Sequence, residues 1–120
     1  MQNQFVWCDI PVKDLARSMK FYGAVLGARL EKQSFPGTEF ALLPCEETTV
    51  SGCLVLNQDA EPSANGPMIY LNCQGRLDAA VGVVEPNGGK VLQAKHQIGP
   101  HGFRAVVLDS EGNRIALHSM

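Results

Sequence analysis

Asp14-Leu15-Ala16-Arg17-Ser18-Met19-Lys20-Phe21-Tyr22-Gly23-Ala24-Val25-Leu26-Gly27 is the stretch on which the fold turns. Leu15, Met19, Tyr22 and Leu26 recur at the spacing of one helix face, while Lys13, Arg17 and Lys20 point outward. Asp14 is a good N-cap, and Gly27 supplies the left-handed residue that stops a helix. At an offset of 62 residues, Leu77, Ala80, Val81 and Val84 stand where Leu15, Ser18, Met19 and Tyr22 stood. The ends correspond too, because Leu26-Gly27-Ala28-Arg29-Leu30 is echoed by Gly88-Gly89-Lys90-Val91-Leu92. The chain therefore reads as an internal duplication.

Outward from these helices the pattern changes to strands. Phe5-Val6-Trp7-Cys8-Asp9-Ile10 predicts a strand over 4–11 that Pro11 ends or edges, and further strands are expected near 28–35, 38–44 and 50–57. The polar, proline-bearing segment 58–66 reads as a linker. Strands then follow at 68–73, 90–96, 102–109 and 113–119, the last two joined by the turn Asp109-Ser110-Glu111-Gly112-Asn113. Two βαβββ modules result, about 1–57 and 67–120, each too small to bury both faces of its sheet. The expected fold class is α+β, one domain over 1–120.

Composition narrows the function classes. The chain has 120 residues, 45% hydrophobic, with 10 basic against 12 acidic side chains, so it carries no electrostatic footprint for nucleic acid or an anionic membrane. Cys8, Cys45, Cys53 and Cys73 form no CxxC pair, and Met1-Gln2-Asn3-Gln4 lacks the features of a secretory leader, which points to a reduced cytoplasm. No apolar run approaches the ~18 residues of a membrane span.

Asp14-Leu15 with Phe21-Tyr22 and Val25-Leu26-Gly27, then Asn87-Gly88-Gly89-Lys90-Val91, and finally Asp109-Ser110-Glu111-Gly112-Asn113-Arg114-Ile115-Ala116-Leu117 together resemble the vicinal oxygen chelate superfamily of glyoxalase I, bleomycin-resistance proteins and extradiol dioxygenases. The resemblance runs over essentially the whole chain, but these motifs belong to the scaffold. It implies a curved, cup-like mixed sheet with helices on the outside, and a homodimer whose cups are completed by the second chain, with swapped halves possible. Family enzymes hold a divalent metal with His and Glu side chains from four strands. Those positions fall here on Trp7, Cys53, Met68 and Ala116. Only one of the four is a plausible ligand where about three are needed, so no cofactor is expected at these positions.

Strand alternation predicts the rest of the cup, since residues two apart share a face. Trp7 brings Phe5 and Asp9, Met68 brings Tyr70 and Asn72, and Ala116 brings Arg114 and His118. The opposite faces, Val6-Cys8-Ile10, Ile69-Leu71-Cys73 and Ile115-Leu117, are apolar and should pack under the helices. Trp7 and Met68 either plug the cup or line it for a ligand. His118 is either a base or polar anchor oriented by Asp9 or Tyr70, or a solvated histidine. Cys53 lacks a neighbouring His to activate it, and apolar burial raises a thiol pKa. Lys95-His96-Gln97-Ile98-Gly99-Pro100-His101-Gly102-Phe103-Arg104 reads either as a solvated hairpin or as a loop closing over the cup, offering Lys95, His96, His101 and Arg104 to an anionic group.

The leading expectation is a binder of a small organic ligand that works without the family's metal chemistry, lined by Trp7, Asp9, Cys53, Met68, Tyr70, Asn72, His101, Arg104 and His118. Its rivals are a catalyst using His118, Asp9 and Tyr70, or a metal held elsewhere, and a plugged scaffold acting through protein contacts.

Overall fold

The computed structural model describes residues 3–35, 37–56 and 59–120, with only the backbone described at Phe35. The first module is β1 (Trp7–Val12), α1 (Leu15–Leu26), β2 (Lys32–Phe35), β3 (Thr38–Leu42) and β4 (Ser51–Leu56). The second repeats the order as β5 (Ile69–Asn72), α2 (Leu77–Gly82), β6 (Lys90–Gln97), β7 (Phe103–Leu108) and β8 (Arg114–Ser119), with 3-10 turns at Glu85–Asn87 and Gly99–His101. Each module makes a four-stranded mixed sheet, ordered β1-β4-β3-β2 and β5-β8-β7-β6, with the first strand parallel to the last. The duplication expected from the helix pattern is thus a duplication of topology. Asn57 and Gln58, at the end of the expected strand 50–57 and the start of the linker, lie outside the described residues, as do Met1, Gln2 and Pro36.

Helix α1 starts at Asp14, whose carboxylate accepts the Arg17 amide at 2.9 Å, and stops at Gly27 with φ of 66°. Its buried face is Leu15, Ser18, Phe21, Tyr22 and Val25. That corrects the stripe expected from spacing, since Met19 and Leu26 are only half-buried and Phe21 is fully enclosed. The rotation follows from a second partner: α1 packs on the second module as well as on its own sheet. A Cβ at Gly89 would lie 2.6 Å from the Phe21 ring and 2.4 Å from the Leu108 carbonyl, so glycine there permits the approach. Helix α2 is shorter than the repeated spacing implies. Pro86 breaks the pattern into a 3-10 turn, though Leu77, Ala80 and Val84 remain buried.

One core serves both modules. Ile10, Val12, Tyr22, Val25 and Leu54 share it with Leu71, Cys73, Ala80, Val107, Ile115 and Leu117. The expected apolar faces of β5 and β8 are therefore the buried ones. On β1 the expectation is corrected at one point: Val6 is 76% exposed because the ladder begins at Trp7. Pro11 pairs with Val55 on an edge strand, as the edge alternative expected, since an edge needs no proline amide.

The turn Asp109–Asn113 does more than reverse the chain. The Glu111 carboxylate accepts the Lys13 and Asp14 amides at the start of α1, at 2.8 and 2.9 Å, and also meets the Arg17 guanidinium at 2.8 Å. Asp109 accepts the buried Tyr22 hydroxyl at 2.5 Å, and Asn113 donates to the Pro11 carbonyl at 2.9 Å. A turn of the second module thus clasps the strand and helix of the first. Burial alone would raise the Glu111 pKa, but the hydrogen bonds from Arg17, the Asp14 and Lys13 amides and Ser110 outweigh it and hold the group at about 2. Burial pushes the Tyr22 phenol well above its usual pKa, and Asp109 adds to the effect.

Candidate functional site

Helices and core cover one face of each sheet, and the other face carries the residues expected to line the cup. On the second sheet the register sets them in rows. Asn72 pairs with His118, His118 with Arg104, and Arg104 with His96, so one row crosses β5, β8, β7 and β6. In the adjacent row Tyr70 pairs with Ala116, and Ala116 with Val106. Paired residues share a face, so these side chains emerge together.

Hydrogen bonds fix the row. The Arg104 Nε–H donates to His96 Nε2 at 3.0 Å, and its Nη1 donates to the Tyr70 hydroxyl. The guanidinium carbon stands 5.9 Å from the Tyr70 ring centre. His96 Nδ1 donates to the Ala94 carbonyl at 2.9 Å, which leaves Nε2 with the lone pair that Arg104 uses. His118 Nε2 lies 2.7 Å from the His101 carbonyl, an acceptor only, so that nitrogen bears the proton and Nδ1 is free to accept when the ring is neutral. The Tyr70 and His118 rings meet edge to face at 6.3 Å. Tyr70 reaches Arg104 across β8, where its register partner is the small Ala116.

The first sheet offers a smaller group. Asp9 pairs with Cys53 in the β1–β4 ladder, and the Cys53 thiol donates to Asp9 Oδ1 at 3.3 Å. Desolvation, followed by the bond to Asp9, raises this thiol's pKa to about 11, so Cys53 is no nucleophile at neutral pH. Trp7 lies at the start of β1, 44% exposed, and Met68 just before β5, half-buried.

The structure divides the expected site residues. Tyr70, Asn72, Arg104 and His118 come together, but Asp9 and Cys53 sit on the other sheet, so Asp9 does not orient His118 within one chain. The proposed closing loop is a hairpin: Lys95 and His96 belong to β6, Arg104 belongs to β7, and residues 98–102, with a 3-10 turn at Gly99–His101, lie between the strands. Lys95 leaves the expected anion group altogether, because its ammonium pairs with Asp78 of α2 at 2.8 Å and lies 5.7 Å over the Phe103 ring. The exposed His101 contributes its backbone carbonyl. The Tyr70–Arg104–His96 linkage was not readable from spacing, because it depends on a β6–β7 ladder whose register shifts twice.

The four positions that the resemblance assigned to metal ligands are Trp7, Cys53, Met68 and Ala116, and the one thiol among them keeps its proton with Asp9. Among the described residues no three His, Cys, Asp or Glu side chains converge. This donor set does not fit a divalent ion. Among the described residues, no helix is long and apolar enough to cross a membrane.

Two four-stranded βαβββ sheets with one shared core and an open polar–aromatic face define the glyoxalase-like class of α+β proteins. Residues 4–117 match the model of the Glyoxalase/Bleomycin resistance protein/Dioxygenase superfamily, and the chain belongs to that family. Solved structures carry the same fold. A glyoxalase/bleomycin resistance protein from Albidiferax ferrireducens T118 is 20% identical with a TM-score of 0.74, the match covering 98% of this chain and 99% of that one. Glyoxalase I from Leishmania major is 21% identical at TM-score 0.67, covering 98% and 87%. Glyoxalase I from Zea mays is 23% identical at TM-score 0.72, covering 94% of this chain and 44% of its own. No curated protein matches the chain by sequence.

Proposed function

We propose that the protein binds a small organic molecule on the open sheet faces, without the family's metal chemistry, as a homodimer in which a second copy completes each cup. The observation that carries this reading is that Trp7 and Tyr70, 44% and 47% exposed, stand open to solvent instead of plugging an interior. Beside Tyr70 lies a row of polar groups held in fixed orientation, and an aromatic surface with a few placed donors is how small-molecule sites are generally built. A second copy is supported by the apolar surface left uncovered: Phe5 is 81%, Trp7 44% and Leu92 44% exposed. The catalytic reading with Asp9 as the orienter of His118 would need the two sheets to bring them together, whereas the alternative orienter Tyr70 stands against His118 ring to ring.

A thermal-shift screen against a metabolite library tests the proposal. Binding to the native state alone raises stability by about 2.7 kcal/mol at a hundredfold excess over Kd, a shift of several degrees. The expected result is a saturable rise for one chemical class, lost in Tyr70→Ala. No response to any compound would favour the scaffold reading.

A further inference from the structure

Among the described residues Arg17, Lys95 and Lys32 form ion pairs with Glu111, Asp78 and Glu39. Arg104, like Arg76, whose guanidinium donates to the Val25 carbonyl, meets only neutral acceptors. It forms no ion pair among the described residues, and its two partners, His96 and Tyr70, are neutral acceptors that orient the guanidinium without neutralising it. Among the described residues, Nη2 and the second Nη1–H have no acceptor, on the edge that forks onto a planar anion. The Tyr70 hydroxyl accepts from Arg104, so its own proton is available in the same place.

The surrounding face has one sign. By register, the row on the far side of Ala116 contains Lys90, Leu108 and Arg114, so a second cationic row flanks the neutral row of Tyr70, Ala116 and Val106. None of the residues in these three rows is acidic. Arg114 carries a buried Nε with no hydrogen-bond partner among the described residues. An orientated guanidinium with unfilled donors, on a face where Arg114 two rows away also holds a buried donor without a partner among the described residues, is the pattern expected where a ligand supplies acceptors.

We infer that this face recognises an anionic oxygen group, with Arg104 as the fork, Tyr70 as a second donor and His96 as the residue that positions Arg104. The inference rests on the ligand-binding reading above and names the chemistry of its ligand: a small organic acid, bearing a carboxylate or a phosphate.

The test is a titration of the full-length protein with benzoate, phenyl phosphate and neutral benzamide at constant ionic strength, followed through the Arg104 Nε–Hε NMR signal. Benzoate or phenyl phosphate is expected to move that signal saturably and to bind at least tenfold more tightly than benzamide. The tighter of the two identifies the group. Arg104→Gln should erase the preference while benzamide binding persists, and His96→Ala should weaken the anion alone. Should Arg104→Gln fail to fold, Arg104→Lys, which keeps the charge but cannot bridge His96 and Tyr70, should lose most of the preference. Equal binding of anion and amide would overturn the anion assignment and leave the ligand-binding reading standing. No saturable response to any of the three would count against both.

Discussion

Two residues show how little of a side chain's role lies in its type. Cys53 is a thiol that the family resemblance placed among the expected metal-ligand positions, yet its neighbour Asp9 takes its hydrogen bond and its pKa is raised to about 11. At neutral pH a thiol reagent should label the exposed Cys45 first, with Cys53 and Cys73 reacting only on unfolding. Mass-resolved labelling with and without urea checks this, and fast modification of Cys53 would contradict the protonated, enclosed thiol. Tyr22 is aromatic core by pattern, but its hydroxyl is the handle that matters. Tyr22→Phe should cost about 1.5–3 kcal/mol in urea denaturation, because it removes a hydrogen bond to the buried Asp109 carboxylate. Gly89→Ala should be at least as damaging, since a Cβ there would stand 2.4 Å from backbone that has no room to move.

Among the elements, the Asp109–Asn113 turn was legible as a turn and nothing more. Gly112 with φ of 95° satisfies that reading. That Glu111 would sit against the α1 amides was not legible, since its partners lie up to 98 residues away in sequence. The consequence is pH-dependent. Glu111 has a folded pKa of about 2, below the ordinary 4.5, so its contribution is complete above about pH 4.5 and is lost as pH falls toward 2. The shift corresponds to about 3 kcal/mol. Glu111→Gln should lower stability at pH 7 and flatten the stability profile between pH 4.5 and 2, measured by urea unfolding across that range. A variant profile parallel to wild type would sink the assignment. The β6–β7 hairpin carries the opposite lesson: its histidines and cations were visible as a cluster, but which face each would take was decided by the ladder, sending Lys95 to α2 and His96 to Arg104.

For the whole molecule, the open faces predict association. Sedimentation or light scattering should give twice the 13.0 kDa chain mass, and Trp7→Asp should shift the population toward monomer without unfolding it. A monomer at all concentrations, with ligand binding intact, would remove the second copy from the proposal. The sequence by itself determined the duplicated βαβββ plan, the helix caps at Asp14 and Gly27, and the buried parity of β5 and β8. Each of these rests on local periodicity or on residue identity at a motif, which short-range sterics and side-chain chemistry enforce. Only the tertiary structure decided that Asp9 and His118 lie on different sheets, that α1 turns Phe21 inward toward Gly89, and that Arg104 is held by Tyr70 and His96. Those outcomes depend on ladder register and on how two modules share one core, free energies set by contacts between residues far apart in the chain.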